Sequence, residues 1–198
     1  MNVALSLAMD PVEDERDAIV RGLGRRDSDL LDLLIERSHH RLMRYLVHLT
    51  GSHESAEDVF QETWLRVIER SGQYNGSSKF ETWLFAIARH LVIDRSRKRR
   101  RSGSQPWSES DWREEQSETS QSEPNPFDVA ADHEEARHIA GAVSRLAPFY
   151  REVLFLRFQE DMKLNEIASL VGVPLSTVKT RLYRALDALR SSLGEAQA

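Results

Sequence analysis

Hydrophobic residues recur at intervals of three and four along most of the chain, which is the spacing of an α-helix and not of a strand. One such stripe within residues 28–49 consists of Leu30, Leu31, Leu34, Leu42, Tyr45, Leu46 and Leu49. Another within residues 55–69 consists of Ala56, Val59, Phe60, Thr63, Trp64, Val67 and Ile68. The run 51–53, Gly-Ser-His, separates the two stripes, and we expect Ser55 to cap the second helix. These stripes predict amphipathic helices packed around a common core.

A third helix is predicted over about residues 80–97, where periodic apolar positions give way to a basic run. Residues 102–128 are rich in Ser, Glu, Gln and Pro and have few aliphatic side chains, so they bury too little surface to offset the entropy cost of ordering. Helical periodicity resumes near residue 130 and continues to residue 193. We therefore predict an all-α fold of two small helical domains.

The predicted domains span residues 28–101 and 137–193, and a flexible acidic linker, residues 102–136, joins them. Residues 1–27 form an amino-terminal extension and residues 194–198 a tail, and neither receives a function from the sequence.

Charge is distributed unevenly along these segments. The chain of 198 residues has a formal net charge of −5, yet residues 95–101 carry +6 and residues 163–190 carry +3. Residues 102–136 carry −9 between them. Two basic zones separated by an acidic one indicate contacts with polyanions at two places on the molecule.

Composition also excludes several classes of protein. The chain has no cysteine, which excludes disulfides and cysteine-based metal sites. No apolar run approaches the roughly 20 residues that span a bilayer, and the amino terminus lacks the basic start of a signal peptide. We expect a cytoplasmic protein without membrane insertion.

The second basic zone has the pattern of a helix-turn-helix. Ala168 is small where two helices would cross, Gly172 follows where a turn needs positive φ, and Val178 would pack the second helix on the first. A polar and basic outer face is typical of a helix that contacts bases in the major groove. The residues predicted to lie on this face are Ser176, Thr177, Lys179, Thr180, Arg181 and Arg184. An ordinary αα-hairpin is the alternative.

The first basic zone follows a group of aromatic residues. Tyr74, Phe80 and Trp83 come shortly before Arg89 and the basic run. Rings beside cations suit single-stranded nucleic acid, because bases stack on the rings and the cations neutralise phosphates. Burial of Phe80 and Trp83 in a core fits the sequence equally well.

The helix over residues 55–69 has an acidic face formed by Asp58, Gln61, Glu62 and Glu69, with Leu65 in its middle. Such a face is commonly just solvated, but an apolar residue framed by charges is also found at partner surfaces.

Three segments together resemble the extracytoplasmic-function group of bacterial sigma factors. They are residues 56–65 (AEDVFQETWL), residues 80–89 (FETWLFAIAR) with Asp94 and the basic run behind them, and residues 167–186. The three occur in the order of that family, with a linker where the family has one. The resemblance implies a sigma region two bundle, a region four helix-turn-helix domain, and a promoter-specificity subunit that is not an enzyme and has no catalytic residue, metal or cofactor.

The resemblance also implies partners and roles: core RNA polymerase, promoter DNA as duplex and melted strand, and an anti-sigma factor. Core polymerase would bind Asp58, Gln61, Glu62 and Leu65. Recognition and melting of the minus-ten element would involve Tyr74, Asn75, Lys79, Phe80, Trp83, Arg89, His90, Arg95, Arg97 and Lys98. The minus-thirty-five duplex would be recognised by Ser176, Thr177, Lys179, Thr180, Arg181 and Arg184. The acidic linker would lie in the nucleic-acid channel of the polymerase.

Two other functions would account for parts of the sequence. A helix-turn-helix regulator that binds duplex DNA without polymerase explains residues 163–190 but leaves the aromatic and basic segment before residue 101 without a task. A metal enzyme would use the histidines between residues 39 and 53, but their spacing contains no His-Glu-x-x-His pair, and the chain has neither a phosphate-binding loop nor a nucleophile elbow.

Overall fold

The computed structural model of the chain describes residues 11–101 and 134–195. These residues form eight α-helices and no strand: α1 (Pro11–Arg25), α2 (Ser28–Thr50), α3 (His53–Glu69), α4 (Phe80–Arg101), α5 (Glu134–Ser144), α6 (Pro148–Leu154), α7 (Leu164–Val171) and α8 (Leu175–Glu195). A 3-10 turn, Ser71–Gln73, follows α3, and a π-helical turn, Phe155–Gln159, follows α6. The all-α prediction is confirmed. The predicted linker lies outside the described residues, except for its last three residues, which belong to α5.

Helices α1 to α4 form the first domain, and α1 is part of its core. Ile19 and Leu23, one helical turn apart, are buried among the apolar side chains of this domain. Arg37 of α2 forms ion pairs with Glu15 of α1 and with Glu81 of α4, the latter at 2.9 Å. The domain therefore begins before residue 28, and most of the predicted extension belongs to it.

The ends of α2 and α3 depend on local hydrogen bonds. Asp27 caps α2 by accepting the backbone N–H groups of Asp29 and Leu30, and Gly51 ends the helix at φ 70°, a conformation that favours glycine. The prediction that Ser55 caps α3 is wrong. Ser52 is the cap, because its Oγ accepts the backbone N–H of Ser55 at 3.4 Å.

Helices α5 to α8 form the second domain, which contains the predicted helix-turn-helix as α7 and α8. Pro148 is the first residue of α6. A backbone N–H at this position has no acceptor within the helix, so proline costs no hydrogen bond there. Gly172 ends α7 at φ 72° with its N–H bonded to the Ala168 carbonyl at 3.0 Å. Val178 is fully buried, as the spacing predicted.

The two domains pack against each other, with α4 against α7 and the π-helical turn against α2. Phe155 of the turn is buried between Tyr45, at 5.9 Å between ring centres, and His48, at 4.4 Å. Burial, and then the positive charge of Arg151, lower the pKa of His48 to about 3, so its imidazole is neutral near pH 7. The core is continuous across the domain boundary.

Candidate polymerase and nucleic-acid surfaces

Helix α8 presents most of the predicted duplex-binding residues to solvent. Ser176, Lys179, Thr180 and Arg184 are exposed, and Thr177 is half-buried. Thr180 Oγ1 donates to the Ser176 carbonyl at 3.0 Å. The arrangement leaves two cations and several hydroxyls on one side of a helix whose other side is anchored in the core.

The prediction that Arg181 lies on the outer face of α8 is wrong, because this residue is 5% exposed. Its guanidinium carbon lies 5.1 Å from the centre of the Phe149 ring, a cation–π contact with α6. The helical period explains the placement: Arg181 is three residues after Val178 and four before Ala185, and both are fully buried. Helical periodicity applied from Val178 would therefore have predicted that Arg181 is buried.

The loop before α4 hides its aromatic rings. Tyr74 and Phe80 are buried, with ring centres 5.7 Å apart, and the Tyr74 hydroxyl donates to the Ser78 carbonyl at 2.9 Å. Trp83 is half-buried against both rings. In this conformation Tyr74 and Phe80 do not offer a face to a base, and they shape the loop that carries Asn75.

The predicted basic residues of this region have different environments. His90 and Lys98 are exposed, and the Nδ1 of His90 lies 2.6 Å from the Ala86 carbonyl. Arg97 is exposed and pairs with Asp94 at 3.6 Å. Arg89 is buried, and Lys79 Nζ lies 2.9 Å from Glu166 of the second domain.

The acidic face of α3 contains an exposed apolar pair. The Leu65 side chain is 61% exposed, and Ile68, which the sequence placed in the core, is 36% exposed. Asp58 and Gln61 are also exposed, and Glu62 is half-buried. The result is an apolar patch bordered by carboxylates, without a covering element among the described residues.

Arg95 connects this face to α4. Its guanidinium donates to Glu62 Oε2 at 2.8 Å and lies 3.7 Å from Asp58 Oδ2. A residue predicted to contact the minus-ten element is thus bonded to two residues predicted to contact polymerase. These positions are 33 and 37 residues apart in sequence, so only the packing of α3 on α4 shows the connection.

A second cluster, which the sequence did not indicate, is buried between the domains. Glu152 of α6 accepts the Tyr45 hydroxyl at 2.7 Å and the Arg89 Nε at 2.8 Å, both on Oε1. Arg89 Nη2 lies 3.3 Å from the other carboxylate oxygen. Burial and the negative charge of Glu152 raise the pKa of Tyr45 well above its usual value, so its hydroxyl keeps the proton that it donates.

Comparison with known proteins identifies the two domains. Residues 34–102 match the family model described as Sigma-70 region 2, and residues 137–189 match that described as Sigma-70, region 4. The sequence is 32% identical to the ECF RNA polymerase sigma factor SigL of Mycobacterium tuberculosis over 90% of this chain and 97% of the relative. The chain belongs to the ECF sigma factors. Members of this family bind core RNA polymerase and promoter DNA and act in transcription initiation.

Other relatives agree with this family. The ECF RNA polymerase sigma factor SigX of Bacillus subtilis is 31% identical over 83% of this chain and 84% of its own. Among solved structures, the sigma factor RpoE in complex with the anti-sigma factor NepR from Bartonella quintana has a TM-score of 0.61 at 21% identity, covering 82% of this chain and 96% of that one. CnrH in complex with the cytosolic domain of CnrY also scores 0.61, at 19% identity, covering 96% and 100%. These structures share the fold of this sigma factor.

The histidines between residues 39 and 53 contact different neighbours. His48 stacks on Phe155, His39 contacts Phe60, and His53 lies 3.3 Å from Glu57. Within residues 11–101 and 134–195, no group of three His, Asp or Glu side chains is placed to hold a metal ion. None of the helices described is both long and apolar enough to cross a membrane.

Proposed function

We propose that this sigma factor binds core RNA polymerase through the acidic and apolar face of α3, acting in the cytoplasm as a binding subunit without catalytic chemistry of its own. The observation that carries the proposal is the exposure of Leu65, 61%, beside Asp58, Gln61 and Glu62 on a helix that is otherwise anchored in the core. An exposed apolar patch with a polar border is typical of a protein–protein interface.

The test is fluorescence anisotropy of the labelled full chain with purified core polymerase, comparing Leu65→Ser with Leu33→Ser. Leu33 is a matched control, because it is 58% exposed on α2 of the same domain. We expect Leu65→Ser to weaken binding about fivefold or more, since removing an apolar anchor from a desolvated interface costs about 1 kcal/mol or more. Leu33→Ser should leave binding unchanged. Equal affinities for the two variants would refute the proposed face.

The same proposal assigns promoter contacts to the two domains. Helix α8 contacts the minus-thirty-five duplex through Ser176, Thr177, Lys179, Thr180 and Arg184, while buried Arg181 supports the helix from behind. The minus-ten element is contacted by Asn75, Lys79, Trp83, His90, Arg95, Arg97 and Lys98, with Tyr74 and Phe80 holding the loop in shape. Arg89 reaches DNA only after the domains separate.

Transcription from genomic fragments selected by the reconstituted holoenzyme tests the role of α8. Lys179→Ala and Arg184→Ala should each reduce initiation about tenfold, because each removes a contact worth roughly 1–3 kcal/mol. Arg190→Ala is the control, since its 80% exposed side chain lies on the same helix and pairs with Asp187. Loss of initiation in all three variants would show a general charge effect and contradict base-specific contact by α8.

Control by an anti-sigma factor is also proposed. The support is that two solved structures that share this fold are complexes, RpoE with the anti-sigma factor NepR and CnrH with the cytosolic domain of CnrY. A protein that copurifies with the chain from its native cells should compete with core polymerase in the anisotropy assay. A copurifying protein that leaves polymerase binding unchanged would not be such a factor.

A further inference from the structure

The loop between α3 and α4, residues 70–79, packs against α1. Gly76 has a φ of 74°, in the left-handed region that favours glycine. Its backbone approaches α1 so closely that a Cβ at this position would lie 3.3 Å from Val20 Cγ2 and 3.8 Å from Arg16 Cβ. Val20 and Arg16 are four residues apart and so lie on one face of the helix. The backbone of the loop therefore contacts α1 directly.

The same loop is also held by aromatic rings of α4. Tyr74 is 3% exposed, and its ring centre lies 5.7 Å from that of Phe80 and 5.2 Å from that of Trp83. Burial raises the pKa of the Tyr74 hydroxyl, and the positive charge of Arg16 partly opposes that rise. The hydroxyl therefore keeps its proton near pH 7 and donates it to the Ser78 carbonyl at 2.9 Å.

Helix α1 is itself fixed on the rest of the first domain. Gly22 lies so close to α2 that a Cβ at its position would overlap the Leu30 side chain. Arg37 of α2 bonds both Glu15 of α1 and Glu81 of α4. Because α1 is tied to both α2 and α4, it gives the loop a fixed support.

The tip of the loop faces solvent between these contacts. Asn75 and Ser77 are exposed, on either side of half-buried Gly76. Asn75 Oδ1 accepts the backbone N–H of Ser77 at 3.1 Å, which forms an Asx turn across Gly76. The orientation of Asn75 therefore depends on the backbone at Gly76, which α1 supports. An amide side chain that distinguishes bases needs such a fixed orientation, because its donor and acceptor must both align with the base edge.

We propose that α1 is a positioning element for this loop, and that Val20 sets the orientation of Asn75 and with it the base preference at the minus-ten element, without contacting DNA. The inference rests on the proposed function, because that function assigns Asn75 to the minus-ten element. It gives a part in promoter selection to a helix that lies outside residues 34–102, the range of the region 2 match.

Hydrogen–deuterium exchange of the full chain, read by mass spectrometry of its peptides, tests the support without polymerase or DNA. Val20→Ala removes Cγ2, the methyl group that faces Gly76, so the amides of residues 75–78 should exchange about threefold to tenfold faster than in the wild type. Val20→Ile retains the branched Cβ and should exchange as the wild type does. Unchanged exchange in Val20→Ala would overturn the proposal.

Val59→Ala is the matched control. Val59 loses the same methyl groups, is 1% exposed in the core of the same domain, and lies about 15 Å along α3 from Glu69, where the helix ends before the loop. This variant should destabilise the domain at least as much as Val20→Ala, because Val20 is only half-buried. An equal rise of exchange in the loop of this control would assign the effect to general destabilisation and overturn the proposal.

Base preference is measured as initiation by the reconstituted holoenzyme from a selected promoter and from copies with each minus-ten base substituted in turn. Asn75→Ala should lower the preference at one position about fivefold or more. Val20→Ala should lower the preference at the same position. Adding it to Asn75→Ala should cause no further loss, because Val20 acts through Asn75. Val59→Ala should change initiation from every copy by the same factor and leave the preference intact.

The results separate this inference from the function on which it rests. Loss of preference in Asn75→Ala but not in Val20→Ala would overturn the role of α1 and leave the Asn75 contact in place. Unchanged preference in both variants would refute the Asn75 contact as well. Additive losses in the double variant would show that Val20 acts elsewhere and would overturn the proposal. Core polymerase should bind every variant as tightly as the wild type, because the α3 face is unaltered.

Discussion

Two arginines of α4 form ion pairs of nearly the same length in very different surroundings. Arg89 bonds Glu152 at 2.8 Å with side chains 9% and 1% exposed, and Arg95 bonds Glu62 at 2.8 Å with side chains 31% and 33% exposed. The first pair joins the two domains, whereas the second joins neighbouring helices of one domain. Solvent access is therefore the main difference between them.

That difference determines what each pair contributes. A buried charge that loses its partner has no water to replace it, so the Arg89–Glu152 pair favours one arrangement of the domains strongly. An exposed pair is worth little, because water solvates each charge when the pair breaks. Arg95 can therefore release Glu62 to a partner at small cost, while Arg89 is released only when the domains part.

The largest expected effect follows from breaking the buried pair. Glu152→Ala removes the buried carboxylate that bonds Arg89 and should lower the free energy of unfolding by up to about 3–5 kcal/mol. The loss is limited by the free energy that holds the domains together, since separated domains let water reach Arg89. Urea unfolding followed by circular dichroism measures the loss. A change below about 1 kcal/mol would mean that the two arginine pairs are energetically alike.

A smaller effect should come from His48, which adjoins the same contact. Its folded pKa of about 3 is below the unfolded value of about 6.5, so the unfolded chain binds more protons between these values. Its contribution to stability is complete above about pH 6.5 and is lost as pH falls toward 3. The loss between pH 7 and pH 5 amounts to about 2 kcal/mol.

Thermal unfolding at pH 7 and pH 5 measures this loss. His48→Phe keeps a ring against Phe155 without a titrating nitrogen, so its stability should fall less over the same interval. An identical fall in the variant would assign the pH dependence to other groups.

The smallest effect is expected at the exposed pair. Arg95→Gln should change the free energy of unfolding by less than about 1 kcal/mol, and core polymerase should bind the variant as tightly as the wild type, because Asp58 and Glu62 remain. Urea unfolding and the anisotropy assay check the two parts. A loss as large as that of Glu152→Ala would remove the distinction between the pairs.

The local sequence pattern was sufficient to predict much of the secondary structure and several buried positions of this molecule. The stripe in α2, the turn at Gly172 and the burial of Val178 follow from helical periodicity and from the φ that a turn needs, and both act over a few residues. Arg181 shows where the pattern was misapplied, because its period placed it with Val178 although its charge suggested the surface. Ile68 shows the converse, since an apolar residue at a core spacing is exposed at the edge of its stripe.

The sequence by itself determined the all-α class, the helix-turn-helix, the separation into two domains and the family resemblance, because these depend on spacing within segments. Only the tertiary structure decided which charges meet. Glu152 and Arg89 are 63 residues apart, and Glu160 and Arg41 are 119 apart. Nothing in local pattern relates such positions, since their pairing depends on how two independently formed helical faces pack. The same packing placed α1 in the first domain and buried Arg89 of α4 against Glu152 of α6.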